Sequence, residues 1–112
     1  MTTIPVYGPF HLAPTWADRK LVTVPLLLEG ERWVMDFEAI EKAMTPRTKV
    51  FMLCNPYNPG GTVFTPAELS KLVEICQRHN VVICSDEIHC DLILDENLRH
   101  TPTASLSPEA AH

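Results

Sequence analysis

The chain has 112 residues, a formal net charge of −5 and a hydrophobic content of 46%. That balance suits one folded acidic domain and excludes a disordered tail. No basic cluster is present and no apolar run approaches the roughly 20 residues of a membrane span, so neither nucleic acid nor a bilayer is an expected partner. The N-terminus lacks a charged segment followed by an apolar core, so no signal peptide is expected and a cytoplasmic location is the default.

Residues 1–19 are rich in proline and aromatics and are predicted to be irregular, with a short helix around residues 10–18. Leu21-Val22-Thr23-Val24 is β-branched and predicts a strand ending at Pro25. Leu26 to Trp33 is a polar excursion that turns at Gly30. Asp36 can cap a helix from Phe37 to about Met44, with Phe37, Ile40 and Met44 on its apolar face; Thr45-Pro46 stops it. Residues 49–54 form the next strand, followed by the loop Asn55-Pro56-Tyr57-Asn58-Pro59-Gly60-Gly61, which cannot be regular. Thr65-Pro66-Ala67-Glu68 carries a capping box, and Leu69, Leu72, Val73 and Cys76 make one apolar stripe behind it. Arg78 and His79 suit the negative end of that helix, and Asn80 its stop. The strand Val81–Ser85 comes next, then a loop over 92–106 and a further helix start at Ser107-Pro108-Glu109.

Strand, helix, strand, helix, strand predicts βαβ units on a parallel sheet, an α/β fold. Continuous apolar runs, Val50–Cys54 and Val81–Cys84, read as strands buried on both faces. A parallel sheet needs helices on both faces, and 112 residues is short for that, so the chain is expected to be part of something larger. Ligands of open α/β sheets sit outside the carboxyl ends of the strands. The polar residues that follow these two runs, Asn55-Pro56-Tyr57-Asn58 and Ser85-Asp86-Glu87-Ile88-His89, are therefore expected to share one site.

At a buried strand end a carboxylate is costly unless it meets a cation or several donors, so Asp86 either caps a loop, pairs with an arginine or holds a positively charged ligand group. Asn58 lies between two prolines and two glycines, in a loop that is rigid at each proline and open to close approach at the glycines. Glu87, His89 and Asp91 alternate and would share a face of a continuing strand, but no second histidine stands at ligand spacing, and no metal site is expected. Cys54, Cys76, Cys84 and Cys90 form no CxxC pair and read as small buried thiols. Ser85 and Ser105 lack a hydrolase elbow, and no phosphate-binding glycine motif is present.

With these motifs on the page, the chain resembles the large domain of fold-type I pyridoxal-phosphate enzymes, the class I/II aminotransferase superfamily. VMDFEAIEKAM, FMLCNPYNPGG and SDEIHCDL are most similar to the branch of cystathionine β-lyases and cysteine-conjugate C–S lyases. The histidine of DEIH and the run HTPTASL favour that branch over typical aminotransferases. The resemblance runs from about Val6 to Leu106 and implies the incomplete large, cofactor-binding domain of a three-layer α/β/α fold. It implies that Asp86 pairs with the pyridine nitrogen of pyridoxal 5'-phosphate and that Asn58 donates to its ring hydroxyl oxygen. Tyr7 matches a residue that stacks on the ring, with simple packing as the open alternative. His89 matches a position near the ring hydroxyl. Gly60 stands where the family pattern has threonine, which predicts a looser loop.

The implied reaction is α,β-elimination of cystathionine or a cysteine conjugate to a thiol, pyruvate and ammonia; transamination of amino acids and a non-catalytic remnant are the alternatives. The family's Schiff-base lysine lies in a serine-x-x-lysine segment that this chain does not contain. Its four lysines, Lys20, Lys42, Lys49 and Lys71, all fall on predicted helices or strand starts, so no catalytic residue is assigned. The small domain is absent as well. Relatives are homodimers by resemblance, and isolated fragments of such a sheet are expected to dissolve poorly.

Overall fold

The computed structural model describes residues 1–108. Four parallel strands form the main sheet: β1 (Thr2–Ile4), β2 (Thr23–Pro25), β5 (Val50–Cys54) and β6 (Val82–Asp86), in the order β2-β1-β5-β6. Helix α1 (Pro9–Trp16) joins β1 to β2. An antiparallel hairpin, β3 (Leu27–Glu29) and β4 (Arg32–Val34), and helix α2 (Phe37–Ala43) join β2 to β5. Helix α3 (Pro66–Arg78) joins β5 to β6. The predicted α/β class and the parallel βαβ arrangement are present.

The helix ends follow their sequence signals. Asp36 accepts a hydrogen bond from Ala39 N at 2.9 Å, and α2 ends one residue before Met44. Thr65 and Glu68 form the capping box of α3, with Glu68 Oε2 accepting from Thr65 N at 2.7 Å and Thr65 Oγ1 from Glu68 N at 3.2 Å. Asn80 takes φ 53° just beyond the end of α3, the left-handed conformation an asparagine tolerates. Arg78 and His79 do more than face the helix end. Both bind Glu41 on α2, at 2.8 and 3.1 Å, and so tie the two helices together.

Five features differ from expectation. The N-terminal segment carries β1, which pairs with both β2 and β5. Strand β2 starts two residues later than predicted and ends at Pro25 as predicted. The stretch after it is a two-residue hairpin with Gly30 at φ +62°, where such a turn demands a positive φ. Strand β6 includes Asp86, and a short 3-10 turn at Thr103–Ser105 interrupts the predicted loop. The helix start at Ser107–Glu109 runs outside the described residues.

Among the described residues the sheet has one face under helices and one face without a cover. Side chains alternate across a strand, and the register Val50↔Val82, Phe51↔Ile83, Met52↔Cys84 sets two faces. Phe51 and Leu53 are fully buried in one core with Ile40 of α2 and Leu69 and Leu72 of α3. On the opposite face Val50 is 42% exposed, Val82 is 56% exposed and Cys84 is exposed. The cysteines divide accordingly: Cys54 and Cys76 are buried, Cys84 is exposed, Cys90 is half-buried, and all four are free thiols.

Candidate cofactor site

The strand order places the site. From β1 the chain steps to β2 on one side, then returns to build β5 and β6 on the other. The switch point is the crevice between the carboxyl ends of β1 and β5, where open α/β sheets bind ligands. Tyr7 follows β1 and Asn58 follows β5. Their backbones meet, with Tyr7 N donating to Asn58 O at 3.0 Å.

Asp86 ends β6 directly beside Cys54, its register partner on β5. Asn55 N donates to Asp86 O at 2.9 Å. Cys54 lies between the two candidate ligands: Asn58 N donates to its Sγ at 3.4 Å, and the Asp86 carboxylate acts on its titration. Burial pushes the Cys54 thiol up, the Asn58 amide pulls it down and Asp86 pushes it up again; the net is upward, so the thiol stays protonated. Cys54 and Asp86 project from the same face of the sheet, opposite the helix-covered core. Asn58 joins them through its amide.

The Asp86 carboxylate accepts one hydrogen bond, from Ile88 N at 3.2 Å, and makes no ion pair among the described residues. The Asn58 side-chain amide likewise meets no hydrogen-bond partner among them. His89 lines an open cavity of about 530 Å³ together with Asn58, Pro59, Leu92 and Leu98. Asp86 and Tyr7 stand outside that cavity. Tyr7 is 51% exposed, so its ring is not consumed by packing. An unpaired carboxylate, a free amide donor and an exposed aromatic ring form a donor set suited to a planar heterocycle with a protonated nitrogen on one side and an oxygen on the other.

Two further residues of the first motif hold this set in place. Tyr57 is buried, and its hydroxyl donates to Pro5 O, stitching the loop after β5 to the end of β1. Burial is the main cause that pushes the Tyr57 phenol up to about 12, so it remains a donor. Buried Asn55 accepts from Phe64 N at 3.1 Å across the base of the loop. The Tyr57 role has no short-range mark, because its partner Pro5 comes from a distant segment.

The alternation of Glu87, His89 and Asp91 does not become a shared strand face, because β6 ends at Asp86 and a turn follows. Glu87 bonds to Ser85, Thr103 and His100 instead. Its Oε1 accepts from Ser85 Oγ at 2.8 Å and Thr103 N at 2.9 Å, and its Oε2 meets His100 Nε2 at 2.9 Å. The four lysines stand apart from the strand ends: Lys42 on α2, Lys71 on α3 over the Phe37 ring, Lys49 and Lys20 ahead of β5 and β2.

A family model described as aminotransferase class I and II matches residues 2–111. Cystathionine beta-lyase PatB of Bacillus subtilis is 43% identical over 108 residues, which are 96% of this chain and 28% of that protein. Among solved structures, cystalysin from Treponema denticola, which contains a pyridoxal 5'-phosphate cofactor, superposes with a TM-score of 0.92 at 33% identity. The match covers 98% of this chain and 28% of cystalysin. N-succinyldiaminopimelate aminotransferase from Mycobacterium tuberculosis gives a TM-score of 0.88 at 34% identity, over 92% of this chain and 27% of that one. The chain thus spans little more than a quarter of the proteins it matches. It belongs to the class I and II aminotransferases, a pyridoxal-phosphate-dependent family.

Proposed function

We propose that this chain carries the ring-binding residues of a pyridoxal-phosphate-dependent carbon–sulfur β-lyase. The reaction is α,β-elimination of cystathionine or a related cysteine S-conjugate to a thiol, pyruvate and ammonia. The observation that carries the reading is Asp86: a carboxylate at a parallel strand end, beside the switch-point crevice, with no cation of its own among the described residues. Bound there, pyridoxal phosphate supplies an electron sink for charge released at the substrate's α-carbon. Asp86 keeps a proton on the ring nitrogen by offering it a carboxylate. Asn58 donates its side-chain amide to the ring hydroxyl oxygen. Tyr7 covers one face of the ring, and His89 lies on the cavity that continues from Asn58. The bond-forming lysine and the substrate-binding small domain belong to sequence other than these 112 residues.

The lyase reading draws support from the likeness to PatB and cystalysin and from His89 in the DEIH motif. An aminotransferase is the second reading, supported by the likeness to the N-succinyldiaminopimelate enzyme. A non-catalytic remnant is the third. The working protein is proposed to be a cytoplasmic homodimer, which light scattering on the purified protein checks.

The protein that carries this sequence is to be purified with pyridoxal phosphate and given cystathionine. Pyruvate and ammonia in equal amounts, without added keto acid, are expected. Dependence of turnover on a keto acid acceptor would identify an aminotransferase instead. Asp86→Asn is expected to cut kcat/KM about a hundred- to a thousandfold, the usual cost of removing one preorganised electrostatic partner.

A further inference from the structure

Gly60 is not simply a flexible residue in a threonine position. A Cβ placed on it would lie 2.7 Å from Trp33 Cδ1 and 2.9 Å from Tyr57 Cδ1, with Trp33 Cγ at 3.2 Å. Real Cβ atoms do not approach that closely, so the indole of Trp33 on β4 and the ring of Tyr57 together occupy the space a side chain at 60 would need. The looser loop expected from Gly60 is therefore not what the packing produces.

The hairpin holds the same loop by polar contacts on either side of the indole. Thr62 Oγ1 donates to Trp33 O at 3.1 Å. Arg32 Nη2 donates to Val63 O at 3.1 Å. The Arg32 guanidinium also grips Glu68 through two bonds of 2.6 Å, anchoring β4 to the first turn of α3. Glu68 is the residue that closes the α3 capping box, so one carboxylate fixes both the helix start and the hairpin. Loop residues 60–63 thus touch Arg32 or Trp33 at three points within four positions. Asn58 stands two residues ahead of Gly60, fixed at its backbone by Cys54 and Tyr7.

We propose that Trp33 is a positioning residue for Asn58, and that Trp33 and Gly60 form a size-matched pair through which the β3–β4 hairpin sets the Asn58 amide relative to Asp86. Trp33 itself touches neither Asn58 nor the ring; it acts through the loop. This rests on the cofactor reading above and adds a determinant some 25 residues away in sequence from the residue it controls.

A double-mutant cycle in the protein that carries this sequence tests it, with the variants Gly60→Thr, Trp33→Ala and the two combined. The readouts are pyridoxal-phosphate affinity, the pH at which the bound cofactor's absorbance titrates, and the melting temperature of the cofactor-free protein. Gly60→Thr is expected to weaken cofactor binding about tenfold and to move the absorbance titration, because a displaced Asn58 no longer meets the ring oxygen. The double variant is expected to recover part of that loss, the threonine taking the space the indole leaves while the Tyr57 contact at 2.9 Å remains. Trp33→Phe, which keeps an aromatic ring at the contact, is expected to hold the wild-type titration.

Unchanged affinity and titration in Gly60→Thr would overturn the proposal, as would a double variant no better than Gly60→Thr alone. If Gly60→Thr fails to fold, Gly60→Ala replaces it, with the same outcomes. A wild-type protein that takes up no pyridoxal phosphate would instead overturn the cofactor reading and the positioning role with it. The steric pairing is then judged by the cofactor-free melting temperatures, where strictly additive losses refute it.

Discussion

At the scale of single residues, the stability of the β6 end depends on Glu87 more than on its neighbour Asp86. Glu87 gathers Ser85, Thr103 and His100 into one network that ties β6 to the 3-10 turn. Burial pushes its carboxyl up, but the hydrogen bonds from Thr103 N, His100 and Ser85 outweigh that and hold it below the usual carboxylate range. A carboxyl depressed on folding stabilises the fold above its unfolded pKa, and that contribution is lost as the pH falls through its folded value. Glu87→Gln is therefore expected to cost about 1 kcal/mol at neutral pH, the order of a net hydrogen-bond contribution. The gap from wild type should close as the pH drops below roughly 4. Urea melts of the two proteins across that range check it, and a gap that widens toward acid would refute it. That the segments after β5 and β6 meet was legible in the sequence, because Asn55 and Ser85 break the two apolar runs. The roles of Glu87 and Tyr57 were not, since every partner that defines them is set by chain reversal: Thr103 and His100 for one, Pro5 for the other.

At the scale of elements, α3 is the best-specified unit. Its cap, its proline at the first turn and its buried stripe of Leu69, Leu72, Val73 and Cys76 all agree with the sequence, with Ile75 added to the buried set. Thr65→Ala is expected to destabilise by about 1 kcal/mol, as loss of an N-cap does. Glu68→Ala should cost more than Thr65→Ala, because it releases Arg32 as well as the cap. Equal losses in thermal melts would mean that the hairpin gains nothing from that ion pair. Strand β1 was illegible for a physical reason. Three residues, Thr2–Ile4, show no period, and their strand conformation comes from pairing with β2 on one side and β5 on the other. Strands β3 and β4 escaped for a related reason: Leu27 and Leu28 are both exposed, so no inward–outward alternation marks them, although Gly30 did mark the turn.

At the scale of the whole molecule, the sheet has one face under α2 and α3 and one face with Val50, Val82 and Cys84 open to solvent. Thiol reactivity reads this directly. Burial pushes the Cys76 thiol up to about 12 and holds the Cys54 thiol above its ordinary value, whereas Cys84 is exposed. In the 112-residue chain, Cys84 is expected to react with a disulfide reagent rapidly, and Cys54 and Cys76 only on unfolding. In a longer protein that covers this face, Cys84 should become slow. Fast labelling of Cys54 in the native chain would contradict the site geometry, since that thiol lies beneath the Asn58 amide.

The stitch between the two loops also bears on folding order. Tyr57 with Pro5, and Tyr7 with Asn58, join residues about fifty positions apart across the crevice between β1 and β5. Contacts of that separation form only after the intervening chain has been closed into a loop, which makes them slow. The proposed ring-binding groups cannot all come together in a partly folded chain that has built only the local unit of β5, α3 and β6. Such an intermediate would already contain Asn58 and Asp86, yet have no crevice for a ligand. Ligand capture is thereby reserved for molecules in which β1 has entered the sheet between its two neighbours, and the ligand stabilises that topology selectively.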